Sequence, residues 1–163
     1  MVGLTTLGVF HTAISLLAVV CGIWAFARYK RISLNHRLGQ VYLASTLITA
    51  VTALGIFQHG GFGPPHALAV LTLVALALGG SAEILRLFGR ASRYVQAISY
   101  SATFLFHMIP GFTESLTRLP PGEPLVASQE APIFRGIYGA LLGAFLIGLT
   151  LQLRWLRTLN ERA

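Results

Sequence analysis

HALAVLTLVALALGGSAEIL, residues 66–85, is a run of twenty residues in which only Glu83 carries a formal charge. A helix of this length rises about 30 Å, which matches the hydrocarbon thickness of a bilayer. Four other apolar stretches approach the same length. Because backbone polar groups must be satisfied internally inside lipid, we expect each stretch to form a helix. The predicted helices are residues 2–27, 38–57, 66–85, 94–112 and 137–153.

The composition of the whole chain supports the same class of protein. Of its 163 residues, 55% are apolar and only 10% are charged, whereas soluble domains carry about 25% charged residues. The mean hydropathy is +0.70. We therefore expect an all-α integral membrane protein, a five-helix bundle forming a single transmembrane domain over residues 1–163, with a long loop at residues 113–135.

The basic residues are distributed unequally between the two sides of this topology. Ten Lys and Arg residues fall on one side and two on the other, so the positive-inside rule puts the C-terminus in the cytoplasm and the N-terminus outside. The first helix is expected to be retained rather than cleaved, because its basic residues follow the apolar run. Topology and anionic lipid headgroups account for the net charge of +7, and no nucleic-acid partner is implied. The inner residues are Arg28, Lys30, Arg31, Arg37, Arg86, Arg90, Arg93, Arg154, Arg157 and Arg162, and the outer ones are Arg118 and Arg135.

Four of the five histidines lie toward the outer ends of the predicted helices. An ionisable side chain at membrane depth is costly and usually has a function. By residue count, His11 and His107 would lie on the order of 8–14 Å below the outer surface, with His59 and His66 above them. Pro110 is expected to kink or end the helix that carries His107. If that helix continued, Glu114 would share the face of His107.

Paired imidazoles on facing helices are the usual axial ligands of a membrane haem b. The leading hypothesis is therefore a haem b electron-transfer protein, an oxidoreductase linked to a membrane quinone. His11 with either His66 or His107 would be the axial ligands. Arg118 or Arg135 would meet the propionates, unless they pair with glutamates instead.

Two other functions remain open. The first is a zinc, iron or copper site that acts on a lipid-soluble substrate. Its ligands would be His11, His59, His66, His107 and Glu114. The second is a non-catalytic assembly subunit, because Gly139 and Gly143 form a small-xxx-small pair. That pair would either pack the fifth helix against the bundle or join the chain to a second copy or a larger complex.

A faint internal repeat is also present, since a histidine opens the first helix and another, His66, opens the third. Such a repeat would give two similar helical hairpins followed by a fifth helix.

Several short strings resemble a family of small bacterial polytopic membrane proteins of unknown function. These are the His11 region, the string from His36-Arg37-Leu38-Gly39 to Tyr42, and Pro65-His66-Ala67-Leu68-Ala69-Val70-Leu71-Thr72-Leu73. The resemblance covers roughly residues 8–90, and the chain departs from it at Ser92-Arg93-Tyr94, where the family carries a basic His-Arg motif. It implies a multi-pass protein of the bacterial inner membrane, with a periplasmic outer side and a role for His11, His36 and His66.

Overall fold

The computed structural model describes residues 5–56 and 61–160, and these residues form helices and connecting turns without any strand. A π-helical turn, Ser81–Leu85, prolongs the third helix, and a short 3-10 turn, Gly89–Ala91, leads into the fourth. The five long helices are α1 (Thr6–Tyr29), α2 (Arg37–Leu54), α3 (Pro64–Gly80), α4 (Ser92–Arg118) and α5 (Ile133–Asn160).

The helix ends follow from local chemistry. The Thr5 hydroxyl accepts a hydrogen bond from the Gly8 amide at 3.1 Å and caps α1. Lys30 adopts the left-handed conformation, with φ of 59°, and closes the other end of α1. α3 begins with Pro64 and Pro65, whose missing amide hydrogens cost nothing in a first turn.

The largest departures from the predicted ranges are in α4 and α5. α4 runs through Pro110 and ends only at Arg118, so the proline does not end it. α5 begins at Ile133 rather than at residue 137. The connection is therefore residues 119–132 and not 113–135. A proline removes a single backbone hydrogen bond, and a helix that is packed against its neighbours tolerates that loss.

The helices pack in chain order. α1 contacts α2, α2 contacts α3, α3 contacts α4, and α4 returns to contact α1, while α5 packs on α4. Gly139 and Gly143 do not mediate this last contact, because a Cβ atom on either would meet nothing within 4 Å. Their predicted role in close packing within the chain is not seen, and their use in binding a partner stays a prediction.

About half of the buried side chains are polar, and the surface carries many large apolar side chains, which is unusual for a soluble protein. Tyr42, Thr46 and Thr103 are completely buried, and His107 and Gln96 are each 5% exposed. Many large apolar side chains lie outside, among them Leu16, Val20, Trp24, Val51, Leu71, Val74, Leu142, Ile147 and Leu151.

Among the described residues, three helices are long and apolar enough to cross a membrane: Thr6–Tyr29, Pro64–Leu85 and Ile133–Leu159. Of their most apolar windows only 22%, 22% and 6% is buried. An uncovered apolar surface of that extent is consistent with a membrane protein and would be unfavourable in water. α2 and α4, which were also predicted to span, do not reach the same hydropathy, because hydroxyl and amide side chains line their inner faces.

Candidate functional site

A pocket of about 210 Å³ that combines apolar walls with several polar side chains lies between the first four helices, and we refer to it as the histidine pocket. His11 from α1 and His107 and Glu114 from α4 line it. The exposed fraction changes along α4, from 45% for the Glu114 side chain to 5% for His107. The pocket therefore leads from the surface to a buried imidazole. Its hydroxyl groups come from Thr12, Ser15, Thr46, Thr49, Thr72 and Ser115.

His107 bridges three helices. Its Nε2 lies 3.0 Å from the Thr46 hydroxyl on α2, and its Nδ1 lies 3.2 Å from the Ser15 hydroxyl on α1. A neutral imidazole has one N–H and one lone pair, so one hydroxyl donates to the ring and the other accepts from it. Both ring nitrogens are thus engaged, and the tautomer can be exchanged by moving protons along the two hydroxyls.

His11 is held in one tautomer. Its Nδ1 lies 2.9 Å from the Thr52 hydroxyl on α2. The Thr52 hydroxyl donates its hydrogen to backbone carbonyls of α2, at 2.8 Å from Ile48 O and 3.0 Å from Thr49 O. Because it has only one hydrogen, Thr52 must accept from an N–H at Nδ1 of His11. The lone pair of His11 is therefore on Nε2, which is the atom available to accept a proton.

Glu114 lies on the same side of α4 as His107, because the helix continues past Pro110. Its carboxylate pairs with Arg118 one turn further along and accepts a hydrogen bond from Gln129 Nε2 at 3.0 Å. These partners keep a charged, solvated group at the open end of the histidine pocket.

Polar contacts continue inward from His107. The Tyr42 hydroxyl lies 2.8 Å from the Thr103 hydroxyl and also interacts with Thr46, the partner of His107. Thr103 donates to the Tyr100 carbonyl at 2.7 Å, so Tyr42 must be the donor to Thr103. His107 with Thr46 and Tyr42 with Thr103 are two hydrogen-bonded pairs, and Thr46 and Tyr42 are neighbours one turn apart on α2; we call these four residues the polar string.

A second polar cluster lies beyond the polar string. The Tyr100 hydroxyl interacts with the Glu83 carboxylate. Glu83 in turn accepts from the Leu34 amide, at 3.0 Å, and from the Ser33 hydroxyl. This cluster ties the π-helical turn after α3 to the connection between α1 and α2.

Sequence reasoning did not identify Thr46, Tyr42 or Thr103. One signal was available, because Tyr42 and Thr46 are four residues apart and so share one face of α2. A threonine in an apolar helix is ordinarily satisfied by its own backbone, and its sequence context does not show when it reaches another helix.

The other predicted site residues lie elsewhere. His66 is in the first turn of α3, where its Nδ1 accepts from the Gly63 amide at 3.2 Å, and it does not line the histidine pocket. Arg118 pairs with Glu114, and Arg135 is exposed in the first turn of α5. His36 stacks on Tyr29 with 3.9 Å between ring centroids. His59 lies outside the described residues.

In this arrangement the histidine pocket is smaller than a typical cofactor site. The volume of about 210 Å³ is below the roughly 300–1,000 Å³ of typical small-molecule sites, and both nitrogens of His107 are already bonded. Within residues 5–56 and 61–160, no three His, Cys, Asp or Glu side chains are grouped for a metal ion. Both cofactor hypotheses stay predictions, and the absorption spectrum and metal content of the purified protein decide between them.

No protein-family model, curated protein or solved structure matches this chain. What the site does has to follow from its own residues.

Proposed function

We propose that this chain is a multi-pass protein of the bacterial inner membrane that transfers protons between the periplasmic side and the interior of its helices. The observation that carries this proposal is the polar string from His107 through Thr46 and Tyr42 to Thr103. Chains of ionisable and hydroxyl side chains inside membrane helices are typical of proton relays. Histidine suits the entry point because one ring nitrogen can accept a proton while the other releases one.

The proposed membrane topology supports proton entry from the periplasmic side. Five spans with the N-terminus outside put ten Lys and Arg residues in the cytoplasm. Glu114 and Arg118 then lie at the periplasmic end of α4, and the histidine pocket opens to that side. Glu83 lies at the cytoplasmic end of α3. The polar string runs between these two ends.

The relay needs only exchange of protons between neighbouring atoms. A proton from the open end binds Nε2 of His11 or the Ser15 hydroxyl, and Ser15 donates its own hydrogen to Nδ1 of His107. When His107 accepts a proton at one ring nitrogen, it releases the proton at the other, so its charge returns to neutral. The released proton passes to Thr46 as the Thr46 hydroxyl hydrogen moves on to Tyr42. Each residue ends the transfer with its original number of protons. His107 is left in its other tautomer, so its ring has to rotate and restore the first tautomer before the next proton passes.

The polar string stops at Thr103 because that hydroxyl donates to a backbone carbonyl. The Tyr100 hydroxyl and Glu83 continue one helical turn further toward the cytoplasm. Proton transfer from the polar string to Tyr100 and Glu83 therefore requires the Thr103 hydroxyl to rotate away from the Tyr100 carbonyl. We infer that this rotation limits the rate of transfer.

A flux assay in liposomes tests the relay. The protein is reconstituted with a pH-sensitive dye inside, and a potassium gradient with a potassium ionophore drives protons inward. We expect wild-type protein to acidify the interior faster than empty liposomes, and Thr46→Val to reduce the rate to that of empty liposomes. Thr72→Val is the matched control, because Thr72 also lines the histidine pocket but donates to its own helix, at 2.8 Å from Leu68 O.

Tyr42→Phe is the second variant, because it removes only the next hydroxyl and keeps the ring that packs in the core. Its rate should fall with that of Thr46→Val. Wild-type flux equal to that of empty liposomes would overturn the proposal. So would full flux in both hydroxyl variants, with folding checked by circular dichroism of the reconstituted protein.

A further inference from the structure

A second cavity, of about 600 Å³, runs along α4 and α5 beside the end of α1, and we call it the α4–α5 groove. Its walls are apolar over most of their length. Phe104 and Met108 of α4 face Phe145 and Leu149 of α5 across it. The groove is separate from the histidine pocket, and none of the relay residues proposed above lines it.

One end of the groove is polar. Gln152, Lys30 and Trp155 lie there. The Gln152 side chain is satisfied within the protein, since its Oε1 accepts from Ser101 at 2.8 Å and its Nε2 donates to the Lys30 carbonyl at 2.8 Å. It therefore closes the groove without needing a ligand.

The Lys30 ammonium is the charged group at this end. It lies 5.7 Å from the centroid of the Trp155 ring. Within residues 5–56 and 61–160, Lys30 forms no ion pair with a carboxylate. A tryptophan beside a lysine is typical of the level of lipid headgroups.

We propose that the α4–α5 groove binds an anionic phospholipid of the cytoplasmic leaflet, with one acyl chain between α4 and α5 and the phosphate at Lys30. The groove follows α5 from Leu141 to Trp155, on the order of 20 Å at 1.5 Å per residue. Half of the hydrocarbon core is about 15 Å thick, so one acyl chain fits within this length. The charge of Lys30 selects an anionic headgroup over a zwitterionic one. The proposal rests on the membrane placement proposed above and not on the proton relay.

Native mass spectrometry of the detergent-purified full chain tests this inference. The protein is mixed with equal amounts of phosphatidylglycerol and phosphatidylcholine, and the lipid in the one-to-one complex is identified. We expect phosphatidylglycerol to dominate. Lys30→Gln should reduce that preference about fivefold, which corresponds to about 1 kcal/mol for one lysine at an anionic surface. Arg90→Gln is the matched control, because it removes an exposed cytoplasmic charge that does not line the groove.

A second variant tests the acyl-chain part of the site. Ala144 lines the groove, and Ala144→Trp should fill it and abolish the one-to-one complex with either lipid. An unchanged complex in Ala144→Trp, or equal binding of both lipids by the wild type, would overturn the proposal. Finding a second copy of the chain or a quinone bound in place of phospholipid would also overturn the proposal. If the wild-type protein transfers protons but does not bind the lipid, only the lipid site is wrong. If it binds the lipid but transfers no protons, only the relay is wrong.

Discussion

His107 is the residue whose hydrogen bonds join α1, α2 and α4. One hydroxyl from α1 and one from α2 meet its two ring nitrogens, so three helices share one pair of hydrogen bonds. A buried hydroxyl that has a partner recovers its desolvation cost through the hydrogen bond, whereas a buried hydroxyl without a partner pays that cost with no compensation. The two threonines of α2 nearest this site represent these two cases.

Thr46 and Thr49 are both buried on α2 and provide a matched pair. Thr46 contacts His107, while the Thr49 hydroxyl has no hydrogen-bond partner among the described residues. We expect Thr46→Val to lower the free energy of unfolding by about 1 kcal/mol. Thr49→Val should leave it unchanged or raise it, because an unsatisfied hydroxyl is removed. Thermal unfolding in detergent micelles, followed by circular dichroism, measures both. Equal losses in the two variants would show that the His107 contact adds no stability.

At the scale of the helices, α3 and α4 approach closely at one glycine. A Cβ atom on Gly79 would lie 2.3 Å from Cε1 of Tyr100, whose ring is 2% exposed and cannot move away. The next residue, Gly80, has only the Tyr100 hydroxyl at 4.0 Å. This contact positions Tyr100 for its interaction with Glu83.

Alanine substitutions at these adjacent glycines should have opposite effects. Gly79→Ala forces the helices apart, and we expect it to destabilise the protein by about 1–3 kcal/mol. Gly80→Ala should be neutral or stabilising by up to about 1 kcal/mol, because alanine favours a helix and the space is open. The melting temperatures in the same micelles give the result. A stabilising Gly79→Ala would show that the packing of α3 on α4 differs from that described.

Sequence periodicity and hydropathy predicted five helices in nearly their observed positions, because apolar runs of that length leave few alternatives. They missed the C-terminal end of α4, since a proline is a weak stop signal inside a packed helix. They also made α5 several residues too short at both ends. His11, His107 and Glu114 were expected to lie together and do line one pocket. His66 was also expected there, but it caps α3 instead, because Pro64 starts that helix and leaves His66 in its first turn. The partners of Glu83 are more than forty residues away in the chain, so no local pattern indicated them.

At the scale of the molecule, many polar groups lie inside beside the apolar core, and large apolar side chains cover the outside. Buried serine, threonine and glutamine side chains line the contacts of α4, while α5 presents apolar side chains on most of its surface. Helices in lipid gain no hydrophobic free energy when they bury leucine against each other, so hydrogen bonds and close packing hold them together. This explains why α2 and α4 are less apolar than the other helices although the proposed topology has them crossing the membrane.

Cysteine labelling distinguishes five spans from three. Leu87, in the connection between α3 and α4, is 66% exposed, and Leu125, between α4 and α5, is 72% exposed. Each is replaced by cysteine in a Cys21→Ala background, and intact cells with a permeable outer membrane receive a membrane-impermeant thiol reagent. We expect Leu125→Cys to react in intact cells and Leu87→Cys to react only after lysis, because α4 separates them across the bilayer. If only α1, α3 and α5 crossed, both positions would lie on one side and would react alike. Reaction of Leu87→Cys alone in intact cells would reverse the orientation and place the histidine pocket on the cytoplasmic side.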